Sequence, residues 1–372
     1  MHKITIFPIG NADTLRIDLE NSRKMLIDFA DMRDPDEEKD RRISLSEALR
    51  LDLAESKRDS YDVVAFTHLD DDHTRKAAEF FYLEHAKAYQ SEGRVKVKEV
   101  WVPAAAIIEE GAEDDARVVR AEARYRLKAG SGIRVFSRPD KLEAWLKEQG
   151  LSVKDRLHLI TDAGQIAPGF SDASDQVEFF VHSPFASRLD DGELFDRNTD
   201  ALVLHATFRV LTTQTRVLFG TDIDHTVLDE IVRITRLKKR EERLDSEVVK
   251  IPHHCSYLSI GPEKGKEKTT PTKNVAYFYG KKLQANAILA SSSDPVPAGD
   301  TDQPPHRQAA AFYREQTDAV AGEFLVTMEH PNEKRPEPIV IEITEDKGKV
   351  KKLFASGVSV ITGSRAPRAG LR

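Results

Sequence analysis

Residues Phe66 to His73 read FTHLDDDH, and five of the eight are Asp or His. Carboxylate oxygens and imidazole nitrogens are common ligands of divalent cations. In a chain leaving a strand, residues two apart face one side and their neighbours another. His68 with Asp70 is then placed to hold one ion and Asp72 with His73 a second, while Asp71 points outward. Taken alone, the stretch reads equally well as an acidic loop with two surface histidines. Recurrence decides between the two. Asp222 closes the apolar run VLFGTD, and His253 and His254 close VVKIPHHCS. Three apolar runs that each stop at ligand-type residues describe a site assembled on rigid elements at one sheet edge.

The rest of the chain must supply that sheet. KITIFPI and TLRIDL flank the turn-like GNAD, and KMLIDFAD follows, which reads as three paired strands. DMRDPDEEKDRRISLSEAL is a charged excursion leading into a helix, and YDVVAF is a buried strand ending at FTHLDDDH. From His73 to about Gln90 the spacing predicts a helix with Ala78, Phe81, Tyr82 and Tyr89 on one side. VKEVWVP returns to strand character, and residues 113–150 are mostly helical in two stretches separated by GSGIRVFSRPD. QVEFFVHSP, DALVLHATF, TRVLFGTD and SEVVKIPHH are four further strands, with a helix in DHTVLDEIVRITRLKKREERL between the last two. There is no internal repeat at a fixed period.

Composition narrows the class. The 372 residues are 40% hydrophobic and 32% charged, enough apolar material for a sizeable core. No apolar run approaches the roughly 20 residues of a membrane span, and MHKITIFPIG lacks the apolar core of a secretory signal. The single cysteine, Cys255, allows no intramolecular disulfide. These features together predict a cytoplasmic protein. A net charge of −7 argues against a basic nucleic-acid-coating protein. It leaves room for a nuclease whose cations hold the phosphate. There is no Gly-x-Ser-x-Gly and no phosphate-binding Gly-rich loop ending in Lys-Ser or Lys-Thr, which sets aside a serine nucleophile and a P-loop ATPase. From Lys347 to Arg372 there are seven Lys or Arg and no Asp or Glu. That tail is either a solvated end or a docking segment for an anionic or protein partner.

THLDDDH, LFGTD and KIPHHCS resemble the metal-binding motifs of the metallo-β-lactamase superfamily. Among its branches they are most similar to the hydrolase domain of the ComEC-type competence proteins. That branch carries His-x-Asp-x-Asp-His, a Gly-Asp strand end, and a double histidine followed by Gly-Ser. IFPIGNADTLRIDLENSRKMLIDFAD, DAGQIAPG, HSPFASRLDDGELFDRNTDALVL and QPPHRQAAAFY find counterparts in the same order. The resemblance implies an α/β fold, the four-layer αβ/βα metallo-β-lactamase sandwich. One hydrolase domain would span 1–345, with a helical insertion at about 75–160 and a basic tail at 346–372. It also implies two divalent ions, zinc or manganese, held by His68, Asp70, Asp72, His73, Asp222 and His254, with Asp222 bridging. Asp72 and His253 are the catalytic candidates. His253 either faces substrate as a stabiliser or proton donor, or is a buried structural residue.

The chain also departs from the pattern. Cys255 stands where the branch has glycine, and Thr221 separates Gly220 from Asp222. The membrane channel of a competence protein is absent, so DNA uptake is not implied. His182 lies near a third-strand position that ligates metal in many superfamily members but not in the competence branch. His306, in QPPHRQ, is either a ligand or phosphate contact, or an ordinary helix-start histidine. Asp70 replaces the superfamily's commoner histidine, which favours manganese, iron or magnesium at its position, whereas affinity order favours zinc over manganese.

The preferred reading is hydrolysis of a phosphodiester in DNA or RNA by a water that two ions acidify while they clamp an in-line displacement. Arg197, Lys250 and Lys273 are open candidates to line a polynucleotide cleft. Two other readings stand beside it. One is a small-molecule ester or phosphodiester hydrolase in which residues 104–150 form a closing lid. The other is a partner-regulated subunit, for example of a defence system, docked through the basic tail. If Asp70 is a ligand, Asp70→His shifts metal preference toward zinc without abolishing binding. Elemental analysis after mixed-metal loading checks this, and an unchanged preference would count against Asp70.

Overall fold

The computed structural model describes residues 1–187 and 197–351. Nine strands form one sheet in the order β15–β14–β1–β2–β3–β4–β5–β6–β7. They are β1 (His2–Ile6), β2 (Leu15–Asp18), β3 (Lys24–Ile27), β4 (Ser60–Ala65), β5 (Lys96–Pro103), β6 (Ile133–Phe136), β7 (Ile160–Thr161), β14 (Ile339–Thr344) and β15 (Lys347–Val350). Six strands form the other in the order β13–β12–β11–β10–β9–β8. These are β8 (Val177–Ser183), β9 (Val203–Val210), β10 (Thr213–Phe219), β11 (Ser246–Lys250), β12 (Leu283–Ser291) and β13 (Glu323–Val326).

Side-chain alternation along the strands builds the layers. Ile4, Ile6, Ile17, Met25, Ile27, Val63 and Ala65 point from the first sheet into the interior, where they meet Phe179, Val181, Leu204, Phe208, Val217 and Phe219 of the second. On the opposite face of the first sheet, Leu26, Tyr61, Val64, Val100 and Val135 pack against the helices Leu45–Glu55, Asp114–Ala129 and Asp140–Glu148. On the outer face of the second, Val203, Leu218, Val249 and Leu289 pack against the helices His225–Leu237, Lys273–Lys281 and Arg307–Ala319. The result is helix, sheet, sheet, helix: the expected four-layer αβ/βα sandwich. YDVVAF is apolar throughout because both of its faces are covered. Strands β3 to β7 run parallel, as do β10 to β13, so their C-terminal ends collect at common edges.

Three expectations need correction. Residues 73–90 are not a helix: only the single turns Asp71–Thr74 and Ala77–Phe80 and the 3-10 turn Lys87–Tyr89 form. Lys76 is left-handed, Asp115 takes the backbone N–H groups of Lys76 and Ala78 at 2.8 and 2.9 Å, and Phe81 bridges to Val95. The region 75–160 is likewise more than a helical insertion. It supplies β5, β6 and β7 together with helices that cover the first sheet, and GSGIRVFSRPD contains β6. At the far end, β15 pairs antiparallel with β14, so the sheet continues past residue 345. The remainder of the basic tail, from residue 352, lies outside the described residues, as does part of HSPFASRLDDGELFDRNTDALVL. No described helix is long and apolar enough to cross a membrane.

Phe179 sits between the sheets, edge-on to Trp101 and Phe170 at ring separations of 5.8 and 5.0 Å. Phe179→Ala should lower the unfolding free energy by about 3–5 kcal/mol in urea titrations.

Candidate metal centre

The site lies just beyond the ends of β3, β4, β10, β11 and β12. Gly220, directly after β10, is required by close approach: a Cβ there would stand 2.7 Å from the Lys250 carbonyl oxygen and 2.9 Å from Pro252. After β11 the chain turns sharply through His253, His254 and Cys255, all left-handed at φ 50°, 51° and 64°. Three such residues in a row without glycine are costly, and backbone hydrogen bonds hold them in place. The His253 N–H donates to the Thr221 carbonyl at 2.9 Å and the His306 N–H to the Cys255 carbonyl at 3.1 Å. Cys255 thus occupies a conformation that ordinarily favours glycine. Its thiol is fully buried, and burial pushes its pKa well above the ordinary range, which removes it as a nucleophile.

The turn aims His254 at two carboxylates. Its Nε2 lies 3.0 Å from both Asp72 Oδ2 and Asp222 Oδ2. His73 Nε2 is 3.5 Å from Asp222 Oδ2 and 3.8 Å from Asp72 Oδ2. One ligand atom from each of Asp72, His73, Asp222 and His254 therefore fits within a cluster 4.8 Å across. The far nitrogens of both rings are tied down: His73 Nδ1 to Asp28 Oδ2 at 2.8 Å, and His254 Nδ1 to the Ser292 carbonyl at 2.7 Å. Such ties fix which nitrogen faces a cation. Asp28 also accepts from the Thr67 N–H and hydroxyl, both at 2.7 Å, and the Thr221 hydroxyl donates to that of Thr67 at 2.7 Å.

Burial alone would lower the His73 and His254 pKa values and raise that of Asp222, but the mutual attraction prevails. Asp28, Asp222 and Asp72 hold His73 well above its usual value, and Asp222 with Asp72 pushes His254 up to about 10. The two imidazoles hold Asp222 well below the carboxylate range, and His73 with His254 lowers Asp72. The same attraction between imidazole and carboxylate suits the cluster to hold positive charge.

The residues fit a divalent cation. His68 Nε2, His73 Nε2 and Asp222 Oδ1 are buried without a hydrogen-bond partner, which is rare for buried polar atoms. Nitrogen and oxygen donors in this mixture suit zinc and manganese alike. His68 lies beside the cluster, its ring 3.9 Å from that of His73 and its Nε2 3.5 Å from Asp70 Oδ2. Asp70 accepts from Arg197 at 2.8 Å, and Asp71 points outward to pair with Arg75.

Other candidates fall elsewhere. His182 points to the outer side of β8, where its Nε2 bonds the Arg243 carbonyl at 2.9 Å and burial pushes its pKa down to about 3, so it does not join the cluster. His306 spends both ring nitrogens locally, on the Tyr257 N–H and the Asp302 carbonyl, each at 3.3 Å, and braces the double-histidine turn. His253 is half-buried with its Nδ1 unpartnered, outside the four-residue cluster but with its ring 6.1 Å from that of His254. Lys250 lines no cleft. It is buried beneath the site, paired with Asp13 and 3.9 Å from Asp222 Oδ1. Lys273 is exposed at the start of a helix on the second sheet's outer face. Asp28, Asp13, Ser292 and Glu109 were missed by the sequence reading. Asp28 had a visible signal, as an acid closing the apolar run KMLID, the same cue that picked out Asp222.

The sequence matches no protein-family profile and no curated protein. Among solved structures it is similar to a new diphosphatase from the PhnP family, at 10% identity and TM-score 0.34 over 92% of this chain and 98% of that one. It is similar to Zn2+-bound PqqB from Methylobacterium extorquens, at 9% identity and TM-score 0.33 over 87% and 97%. It is also similar to unliganded yeast PDE1, at 12% identity and TM-score 0.36 over 87% and 96%. Similarity this distant transfers no substrate and no residue role. The layers and the cluster together describe a four-layer sandwich with a candidate cation centre at one edge.

Asp28→Asn keeps the side-chain shape but removes the charge behind His73. It should weaken divalent-cation binding about 10–100-fold with the fold retained. Equilibrium dialysis with elemental analysis checks this, and parental affinity would contradict it.

Proposed function

We propose that this chain is a metal-dependent hydrolase of the metallo-β-lactamase superfamily that cleaves phosphodiester bonds, with DNA or RNA as substrate. One observation carries the reading: Asp72, His73, Asp222 and His254, from three distant stretches of sequence, converge on one cation-sized space. In the proposed assignment these four would hold one ion, and His68 and Asp70, with Asp222, would hold a second. When bound, the ions supply an acidified water and a positive clamp for an in-line displacement.

The protein's own groups do the rest. Asp28 and the Ser292 carbonyl keep His73 and His254 turned to the centre, and Thr67 and Thr221 lock Asp28. Asp72 is partly exposed, so its carboxylate serves the buried cluster from the solvent side. His253 is proposed to stabilise charge on the substrate or to give a proton to the leaving oxygen. The motif resemblance supports a polynucleotide substrate. Helices of residues 104–150 cover the first sheet, which speaks against a lid built from that whole stretch.

The test is to incubate the purified chain with Mn2+ or Zn2+ and single-stranded DNA, duplex DNA, RNA or bis-p-nitrophenyl phosphate. Cleavage should fall in Asp72→Ala and His254→Ala by more than the ~100-fold that losing a supporting residue costs. Variants that cut as fast as the parent would assign the activity to a contaminant. Turnover of the small diester alone would leave hydrolysis standing and remove the polynucleotide.

A further inference from the structure

The two proposed ion positions differ in how they are built. The Asp72, His73, Asp222 and His254 group is largely buried, and both of its imidazoles have their far nitrogens tied. At the His68 and Asp70 position, Asp70 is more than a third exposed and already belongs to an ion pair. The Arg197 guanidinium donates to Asp70 Oδ1 and to the Leu69 carbonyl at 2.8 and 3.1 Å, and its other edge holds the mostly buried carboxylate of Glu109. A cation that recruits Asp70 must therefore share that carboxylate with a fixed positive charge. Arg197 favours the ionised form of Asp70, but its guanidinium also repels a divalent ion brought this close. Glu109 offsets part of the repulsion.

We propose that Arg197, restrained by Glu109, is a positioning residue that makes the Asp70 position the weaker of two cation sites, so that the chain loads one ion tightly and a second reluctantly. The proposal rests on the metal-dependent reading above and adds an order of filling to it. It also gives Arg197 a role that a plain basic cleft residue lacks, since it acts through Asp70.

The experiment is equilibrium dialysis of the chelator-stripped full chain against Mn2+, with metal per chain read by elemental analysis. Wild type should show one tight and one weaker equivalent. Arg197→Gln should tighten the second about tenfold or more and leave the first in place, because one repelling charge is gone. Glu109→Gln should weaken the second about tenfold, because the guanidinium is no longer offset. Arg197→Lys, which keeps the charge, should stay near wild type. Opposite shifts in the two neutral variants separate electrostatic control from structural damage, which would weaken binding in both. Two equally tight equivalents in wild type, or a second affinity unmoved or lowered by Arg197→Gln, would overturn the proposal while leaving the metal site intact. Failure of wild type to retain any Mn2+ would instead remove the metal-dependent reading itself.

Discussion

The edge of this sandwich depends on how the carboxylate of Asp222 is buried. An ionised carboxylate taken out of water is unstable unless opposite charge and hydrogen bonds replace the solvent. Here the replacement is His254 on one side and His73 on the other. Each imidazole serves only because its far nitrogen is engaged, one by Asp28 and one by the Ser292 carbonyl. Asp28 is locked in turn by Thr67, and Thr67 by Thr221. One polar network thus ties together the ends of β3, β4, β10, β11 and β12. The groups that hold this edge together are the same groups that suit a divalent ion.

The frame around the network explains why it forms where it does. Parallel strands in both sheets deliver their C-terminal ends to one edge, where α/β folds commonly place ligands. Gly220 lets β10 and β11 close up, and the left-handed turn at His253–Cys255 then swings His254 inward. The first hairpin contributes as well. The Asp13 N–H donates to the Asp72 carbonyl at 3.0 Å, and its side chain neutralises the buried Lys250 beneath Asp222. A loop that looked like a simple turn between β1 and β2 is in fact a support for the ligand loop.

Much of this was legible in the sequence, because the informative features are local. YDVVAF running into FTHLDDDH, and VLFGTD and VVKIPHH after it, mark strand ends by apolar runs that stop at ligand-type residues. What escaped depends on distant contacts. The spacing of Ala78, Phe81 and Tyr82 imitates a helix face, yet Asp115, far along the chain, captures the backbone of Lys76 and Ala78 and ends the turn. Lys250 reads as a cleft residue until its partner Asp13, 237 positions earlier, is in view. KGKV reads as the start of a basic tail because a short edge strand rich in Lys and Gly carries almost no apolar pattern; only its pairing with β14 reveals it. The pattern of histidines likewise cannot say which way a strand faces, and β8 turns His182 toward the outer helices instead of the centre.

The most direct test of the central claim is anomalous X-ray diffraction from crystals of the chain equilibrated with Mn2+ or Zn2+, collected at the metal's absorption edge. An anomalous peak at coordination distance, about 2.0–2.2 Å for zinc, from Asp222 together with His73 and His254 is the expected result. A fully loaded crystal whose only peaks lie on the surface, with Asp222 still 3.0 Å from His254 and 3.5 Å from His73, would contradict the account.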